Sequence, residues 1–303
     1  MAHGHTIGHG HGRAHKHSHG TDDIDWVRMG EHLERYAKVA APMYGEVTAW
    51  LRQWTPEPAV VADVGAGPGG VAFLLADAFP GARVVAADPE EPLLERARER
   101  ARRDGVADRF DTVRFELPQD IGQLPTADLM WVGKSLHHVG DQGAALTALA
   151  ERLAPGGAIA LLEGGLSARS LPRDIGFGKP GLQSRMEAAD EEWFAEMRAG
   201  LPGAKEVVED WAALLEAAGL RHVATRSFLL DLPAPLSEEA RVHLVNDLTR
   251  RREMYDEILD ADELATLDRL IDPSDPGGLM LRPDAFLLLA QTVHVAVKDR
   301  DQG

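Results

Sequence analysis

The sequence predicts an α/β protein built on a mostly parallel sheet with helices on both faces. Two observations carry this. From residue 59 to 164, short apolar runs alternate with helical segments, the order from which parallel sheets are made. Between the first apolar run and the first helix after it lies "VADVGAGPGG" (61–70), a glycine-rich turn of the kind that lets backbone approach a ligand.

The elements follow in chain order. Residues 1–21 read as a disordered tail: seven histidines stand between glycines, so ordering the backbone costs entropy with little apolar area in return. Neutral imidazoles at this density bind Zn²⁺ or Ni²⁺ adventitiously, and no catalytic metal constellation stands out. Residues 22–55 read as an N-terminal helical lid. Trp26, Met29, Leu33 and Tyr36 recur at three- to four-residue steps, and a break at Ala41-Pro42 precedes Met43, Val47, Trp50 and Leu51.

Residues 56–166 hold the ligand-binding core. Strands are expected at 59–65, 82–88, 112–117, 127–133 and 157–164, with helices at 71–79, at 89–105 and from Gln142 to the "LAPGG" exit turn. Residues 167–303 complete the fold. Helices near 184–199, 206–218 and 237–271 are expected to form a cap, and strands at 220–230 and 286–298 an antiparallel pair at the sheet edge.

Composition narrows the function classes. The 303 residues carry a net charge of −17, and residues 21–303 alone hold 30 basic and 49 acidic side chains. Such a field disfavours a nucleic-acid backbone. The basic run "RARERARR" (96–103) reads as a solvated helix face that carries its own acids. No apolar run approaches the roughly 20 residues of a membrane helix, and the first residues lack a secretory apolar segment. With no cysteine, disulfides and thiolate metal sites are excluded, and a cytoplasmic setting fits. A homodimer is left open.

The glycines fit two frames. Gly65, Gly67 and Gly70 match the G-x-G-x-x-G spacing of a dinucleotide turn; Asp63, Gly65, Gly67 and Gly69 match a looser D-x-G-x-G-x-G frame of a methyl-donor site. Asp88 ends the next strand, where a carboxylate can accept both hydroxyls of a ribose. The plainer alternative is a tight structural turn and a helix cap. Three features favour the methyl donor. Asp63 stands where a dinucleotide fold more usually has an apolar residue. Asp120 and Ile121 follow the third strand, offering an acceptor for an adenine amino group and an apolar surface for its ring. The fourth strand leads into "GKSLHHVGD" (133–141).

On these residues the sequence resembles the class I S-adenosylmethionine-dependent methyltransferases of small-molecule type, over roughly residues 25–298. The resemblance implies a three-layer sandwich around a seven-stranded, mostly parallel sheet with an antiparallel last strand, plus N-terminal helices and a helical cap. It implies S-adenosylmethionine as cofactor and S-adenosylhomocysteine as product. Asp63, Gly65, Ala66, Gly67 and Gly69 would form the donor loop. Asp88, with Pro89 beside it, would hold the ribose, and Asp120 and Ile121 the adenine. Gly133 would pass the methionyl part, and Tyr36 would belong to the lid, as would Trp26, Met29 and Tyr44. Lys134 reads as solvent-facing.

His137 and His138 are the candidate bases, since an imidazole with a pKa near 6.5 can take a proton at neutral pH. In an extended loop they would face opposite ways, so one at most would meet the acceptor. Asp141 could orient a ring or cap the next helix, and Glu163 could reach the acceptor from the end of the fifth strand. The expected reaction is methyl transfer to a small-molecule acceptor, with oxygen favoured over nitrogen or carbon, in a setting such as secondary metabolism. Two rivals remain: a nicotinamide oxidoreductase, and a non-catalytic donor-binding scaffold.

Overall fold

The computed structural model describes residues 25–300 apart from 257; the expectations for the histidine-rich tail lie outside these residues. α1 (Trp26–Val39) begins on Asp25, whose carboxylate accepts from the amides of Val27 and Arg28 at 3.1 Å each. α2 (Ala41–Leu51) follows at once, with Pro42 in its first turn, where a missing N–H leaves no helical bond unmade. The alternation then runs β1 (Val60–Val64), α3 (Gly70–Ala78), β2 (Arg83–Asp88), α4 (Glu91–Arg103), β3 (Phe110–Arg114), β4 (Ala127–Gly133), α5 (Gln142–Glu151) and β5 (Leu153–Arg169). After it come α6 (Leu182–Gly200), α7 (Trp211–Ala217), β6 (Arg221–Leu232), α8 (Glu238–Met254), α9 (Ala261–Ile271) and β7 (Leu287–Val297).

All seven strands form one sheet in the order β3-β2-β1-β4-β5-β7-β6. The first five are parallel, and β7 runs antiparallel to both β5 and β6. The central strands are buried on both faces, so they are mostly apolar rather than alternating, with Asp63 a buried exception in β1. On one face Val61, Leu129, Trp131 and Leu162 share a core with Met43 and Val47 of α2 and with residues of α6, α8 and α9. On the other, Ala62, Val64, Met130 and Leu161 pack with Leu146 and Leu149 of α5 and Leu215 of α7. The result is the expected three-layer class I methyltransferase arrangement, with its antiparallel seventh strand.

Some boundaries differ from expectation. β3 lies at 110–114 rather than 112–117, and Phe115, just beyond it, turns inward. β5 continues past Gly164 and Gly165 by way of register shifts against β7. The helix expected over 237–271 is two helices. Tyr255 at the break is buried and its hydroxyl donates to Asp190 of α6, while Asp260 and Glu263 form a reciprocal capping box that starts α9. Among the described residues no helix is long and apolar enough to cross a membrane.

Candidate functional site

The strand order reverses between β1 and β4, and the crevice beyond the C-terminal ends of strands at such a point is where open α/β sheets bind ligands. The glycine loop fills it. Gly65, Gly67 and Gly69 have φ of 72°, 54° and 79°, the left-handed region that favours glycine. Gly70 is needed for a different reason: a Cβ there would lie 2.6 Å from Cβ of Ala37 on α1. The conformational demand therefore falls on the D-x-G-x-G-x-G frame, and the last glycine of the dinucleotide frame is a packing contact with the lid.

The loop's amides are engaged within the protein. Those of Gly65 and Ala66 donate to the Ala87 carbonyl at 2.8 and 3.0 Å, that of Gly67 to Oδ2 of Asp88 at 2.7 Å, and that of Gly69 to the Ala66 carbonyl at 2.9 Å. Pro68 has none. A pyrophosphate, which binds through free amides at such a turn, would find none of these available.

The two carboxylates have different surroundings. Oδ2 of Asp63 is buried and has no hydrogen-bond partner, a rare state for a buried polar atom. Burial, and then the nearby Asp88, push the Asp63 carboxyl up to about 8. Burial also raises Asp88, to about 6, against the opposing pull of the Glu90 and Gly67 amides that its two oxygens accept. Each Asp88 oxygen keeps a further lone pair. An acid with one unpaired buried oxygen, beside a second acid whose oxygens keep spare lone pairs, fits a ligand carrying an ammonium and a ribose.

Asp120 lies farther along the same edge. Its oxygens accept from the Glu116 amide at 3.1 Å and the Gln123 side chain at 3.0 Å, so it holds the turn on which half-buried Ile121 sits. With exposed Pro89, Arg114, Glu116 and Gln123 it lines a recess of about 250 Å³.

The loop after β4 closes the other side. Ser135 packs against Gly65, whose added Cβ would meet Ser135 Cβ at 2.5 Å, and its hydroxyl donates to the Val64 carbonyl at 3.3 Å. Gly133 leaves room for the Trp131 indole, whose Nε1 would lie 2.7 Å from an added Cβ. Lys134 takes φ 53°, a strained conformation for a residue with a side chain, costing about 1–3 kcal/mol. The Lys134 ammonium lies 4.9 Å from the centre of the Tyr36 ring.

The double histidine is not in an extended loop. Leu136–His138 forms a 3-10 turn, which sets the two rings 4.2 Å apart instead of on opposite sides. Buried Glu163 organises the turn: Oε1 accepts from the Leu136 amide at 3.1 Å and Oε2 lies 3.3 Å from Nδ1 of His137. Arg198 of α6 adds bonds to the His137 and Val139 carbonyls at 3.0 and 2.6 Å. His138 reaches solvent, yet desolvation of its ring, and then the neighbouring His137, lower its pKa to about 4. Asp141 is engaged elsewhere, accepting from the Ala144 amide at the start of α5 and pairing with Lys205 at 2.5 Å.

Several contributors had no place in the sequence reading. Buried Gln291 of β7 donates to the Tyr36 hydroxyl at 2.5 Å and accepts from Tyr44 at 3.5 Å. Gln291 shares the buried phase of β7 with Leu287, Leu289, Val293 and Val295, and a polar residue in an apolar phase was a legible signal. His243 gives the same signal on α8, beside Leu244.

Comparison with known proteins bears on the same stretch. Residues 62–159 match the model of a family described as a methyltransferase domain. Over 113 residues the chain is 40% identical to a trans-aconitate 2-methyltransferase of Variovorax paradoxus, covering 35% of this chain and 39% of that protein. Over 188 residues it is 30% identical to a protein of the same name from Streptomyces coelicolor, covering 61% and 58%. The chain thus spans about two fifths and three fifths of these relatives' lengths. Among solved structures, mitomycin 7-O-methyltransferase MmcR is similar at 26% identity and a TM-score of 0.44, over 62% of this chain and 50% of that one. Sheet order and family match converge: residues 62–159 match a methyltransferase domain, set in a sheet of the class I methyltransferase order.

Proposed function

We propose that the protein transfers a methyl group from S-adenosylmethionine to an oxygen of a small-molecule acceptor, with His137 as general base. The donor supplies a methyl carbon already activated on a sulfonium. Asp63 would receive the donor's ammonium, Asp88 its ribose hydroxyls, and the recess beside Pro89, Asp120 and Ile121 its adenine. The lid helix, seated on the loop through Leu33 and Ala37, would exclude water.

The single observation that carries the base assignment is the His137–Glu163 contact. With Nδ1–H donated to the carboxylate, Nε2 keeps its lone pair for an acceptor proton, and Glu163 stabilises the imidazolium that forms. His138, drawn down to about 4, is a weak base at neutral pH. Asp141, engaged at the helix cap, is left out of the chemistry.

A second reading has one observation in its favour, the trans-aconitate named for the relatives. A carboxylate acceptor is ionised at neutral pH and needs no base, so positioning alone would supply the acceleration. Incubation with S-adenosylmethionine and metabolite extract, read by mass spectrometry for products one methyl group heavier, tests both readings. An acceptor methylated on a hydroxyl supports His137 as base, and one methylated on a carboxylate supports the second reading. Failure of any acceptor to gain a methyl group would leave the donor-binding scaffold.

A further inference from the structure

α1, α8 and the loop after β4 bring together a set of groups that, Tyr36 of the lid apart, the donor site does not use. α1 contributes His32, Arg35 and Tyr36; α8 contributes His243, Asp247, Arg250 and Arg251; the loop contributes Lys134. The His32 and His243 rings stack with centroids 5.3 Å apart, and the Tyr36 ring lies 5.4 Å from that of His243. Lys134 reaches over the Tyr36 face.

The charges here are unevenly matched. Arg250 and Arg251 share Asp247 at 3.4 and 2.9 Å, and Arg251 also meets Asp190 at 3.3 Å. Among the described residues neither Arg35 nor Lys134 has a carboxylate partner. Arg35 Nε is buried without a hydrogen-bond partner, and so is Nδ1 of His243, a residue only 6% exposed. Buried polar atoms left unpaired are rare and costly. In a chain of net charge −17, two unmatched cations beside an orphaned ring nitrogen are a local reversal of sign.

The cluster also adjoins the donor side. The Tyr36 hydroxyl accepts from Gln291, which accepts from Tyr44; burial, then Tyr36 and Asp63, raise the Tyr44 hydroxyl well above its usual range. Lys134 also adopts a backbone conformation that glycine would hold without strain, and its ammonium lies over the Tyr36 ring of this cluster.

We infer that the α1–α8 cluster is an anion site for the acceptor, in which Lys134, Arg35 and His243 hold a carboxylate while another oxygen of the same molecule meets the donor. This rests on the proposed methyl transfer and deepens it: the acceptor is a small organic acid with at least two oxygen functions. Arg35 supplies a directional N–H, Lys134 a point charge and His243 a neutral donor.

The test is calorimetric titration of trans-aconitate and citrate, with glycerol as a neutral comparator, into the full chain with and without S-adenosylhomocysteine. The expected result is that at least one acid binds and glycerol does not. Lys134→Met and Arg35→Met should each weaken the acid about 10- to 100-fold, the usual size of a lost charge-assisted bond. S-adenosylhomocysteine affinity should stay within about threefold, and Lys134→Arg should keep most of the acid affinity. Lys134→Gly should weaken the acid while raising Tm, because it removes the strained residue. A merely structural lysine would not lose one and gain the other. Equal weakening of S-adenosylhomocysteine would assign the cluster to the donor's own carboxylate and overturn the inference. So would binding of neither acid, or acid affinity unchanged in the variants. If S-adenosylhomocysteine itself does not bind the unmodified protein, the proposed methyl transfer falls as well.

Discussion

The proposed donor side and the proposed acceptor side of the crevice are built in opposite ways. Most of the donor side is one continuous stretch, Val61 to Asp88: a strand, a turn, a helix and a second strand, closed by bonds within it such as Gly67 to Asp88, with the adenine recess at Pro89 and Asp120 and the lid helix lying outside it. The acceptor side is assembled from distant parts of the chain, Tyr36 with Gln291, His137 with Glu163, and Lys134 with α1 and α8. A local site is fixed by backbone conformation, so its glycines and acids recur at set spacings. An assembled site is fixed by packing, and its residues need share no spacing at all.

Breaking each side in turn should therefore give different signatures. The largest effect is expected from His137→Ala, which should lower turnover on a hydroxyl acceptor about 10²–10⁴-fold with donor affinity little changed. Glu163→Gln should lose part of the same rate and alter the pH profile, because the ring would lose its orienting carboxylate. Rates from pH 6 to 9 at saturating donor check both. Near-normal turnover in His137→Ala would mean that the nucleophile is ionised before it binds.

On the donor side, Asp88→Ala should weaken S-adenosylhomocysteine about 10- to 100-fold in a titration, with the far-UV spectrum intact. The fold was legible here for a physical reason. Alternating strands and helices set the parallel sheet, and Asp63 and Asp88 announced themselves by standing at the ends of buried strands. What was not legible was which glycine does what. Gly69 and Gly70 look alike in sequence, yet one caps α3 in the left-handed region and the other admits Ala37. Spacing cannot reveal the second role, because the partner lies on another helix. The same limit hid the lid contact of the basic run: Arg96 reads as a solvated residue, yet it bonds Glu34 of α1 through Nε and Nη2, each at 3.0 Å. It also hid the turn of the double histidine, which Glu163 and Arg198 set from β5 and α6.

Gly70→Ala sharpens this point. The added methyl should cost about 1–3 kcal/mol of stability through overpacking, readable as a lower denaturation midpoint. Adding Ala37→Gly should recover much of the loss, whereas simple addition of the two effects would show that the lid does not rest there.

A smaller effect is expected from Asp63→Asn. Because the folded Asp63 carboxyl holds its proton up to about 8, the native state binds more protons than the unfolded chain between about pH 4 and 8. Stability contributed at this position is therefore greatest in acid and falls as pH rises through that window. Relative to the unaltered protein, Asp63→Asn should gain Tm from pH 5 to pH 8, by about 2–5 °C. A constant difference across that range would mean that Asp63 is not held protonated by the fold.

The most direct test of the donor assignment is calorimetric titration of the unaltered protein at pH 7 with S-adenosylhomocysteine and with NADH, in two buffers of different ionisation enthalpy. S-adenosylhomocysteine should bind and release up to about one proton, because its ammonium would draw Asp63 from the protonated to the ionised form. The release should vanish in Asp63→Asn, and NADH should not bind. NADH binding in place of S-adenosylhomocysteine, or S-adenosylhomocysteine binding with no proton released, would contradict the reading of Asp63 as the acid that receives the donor.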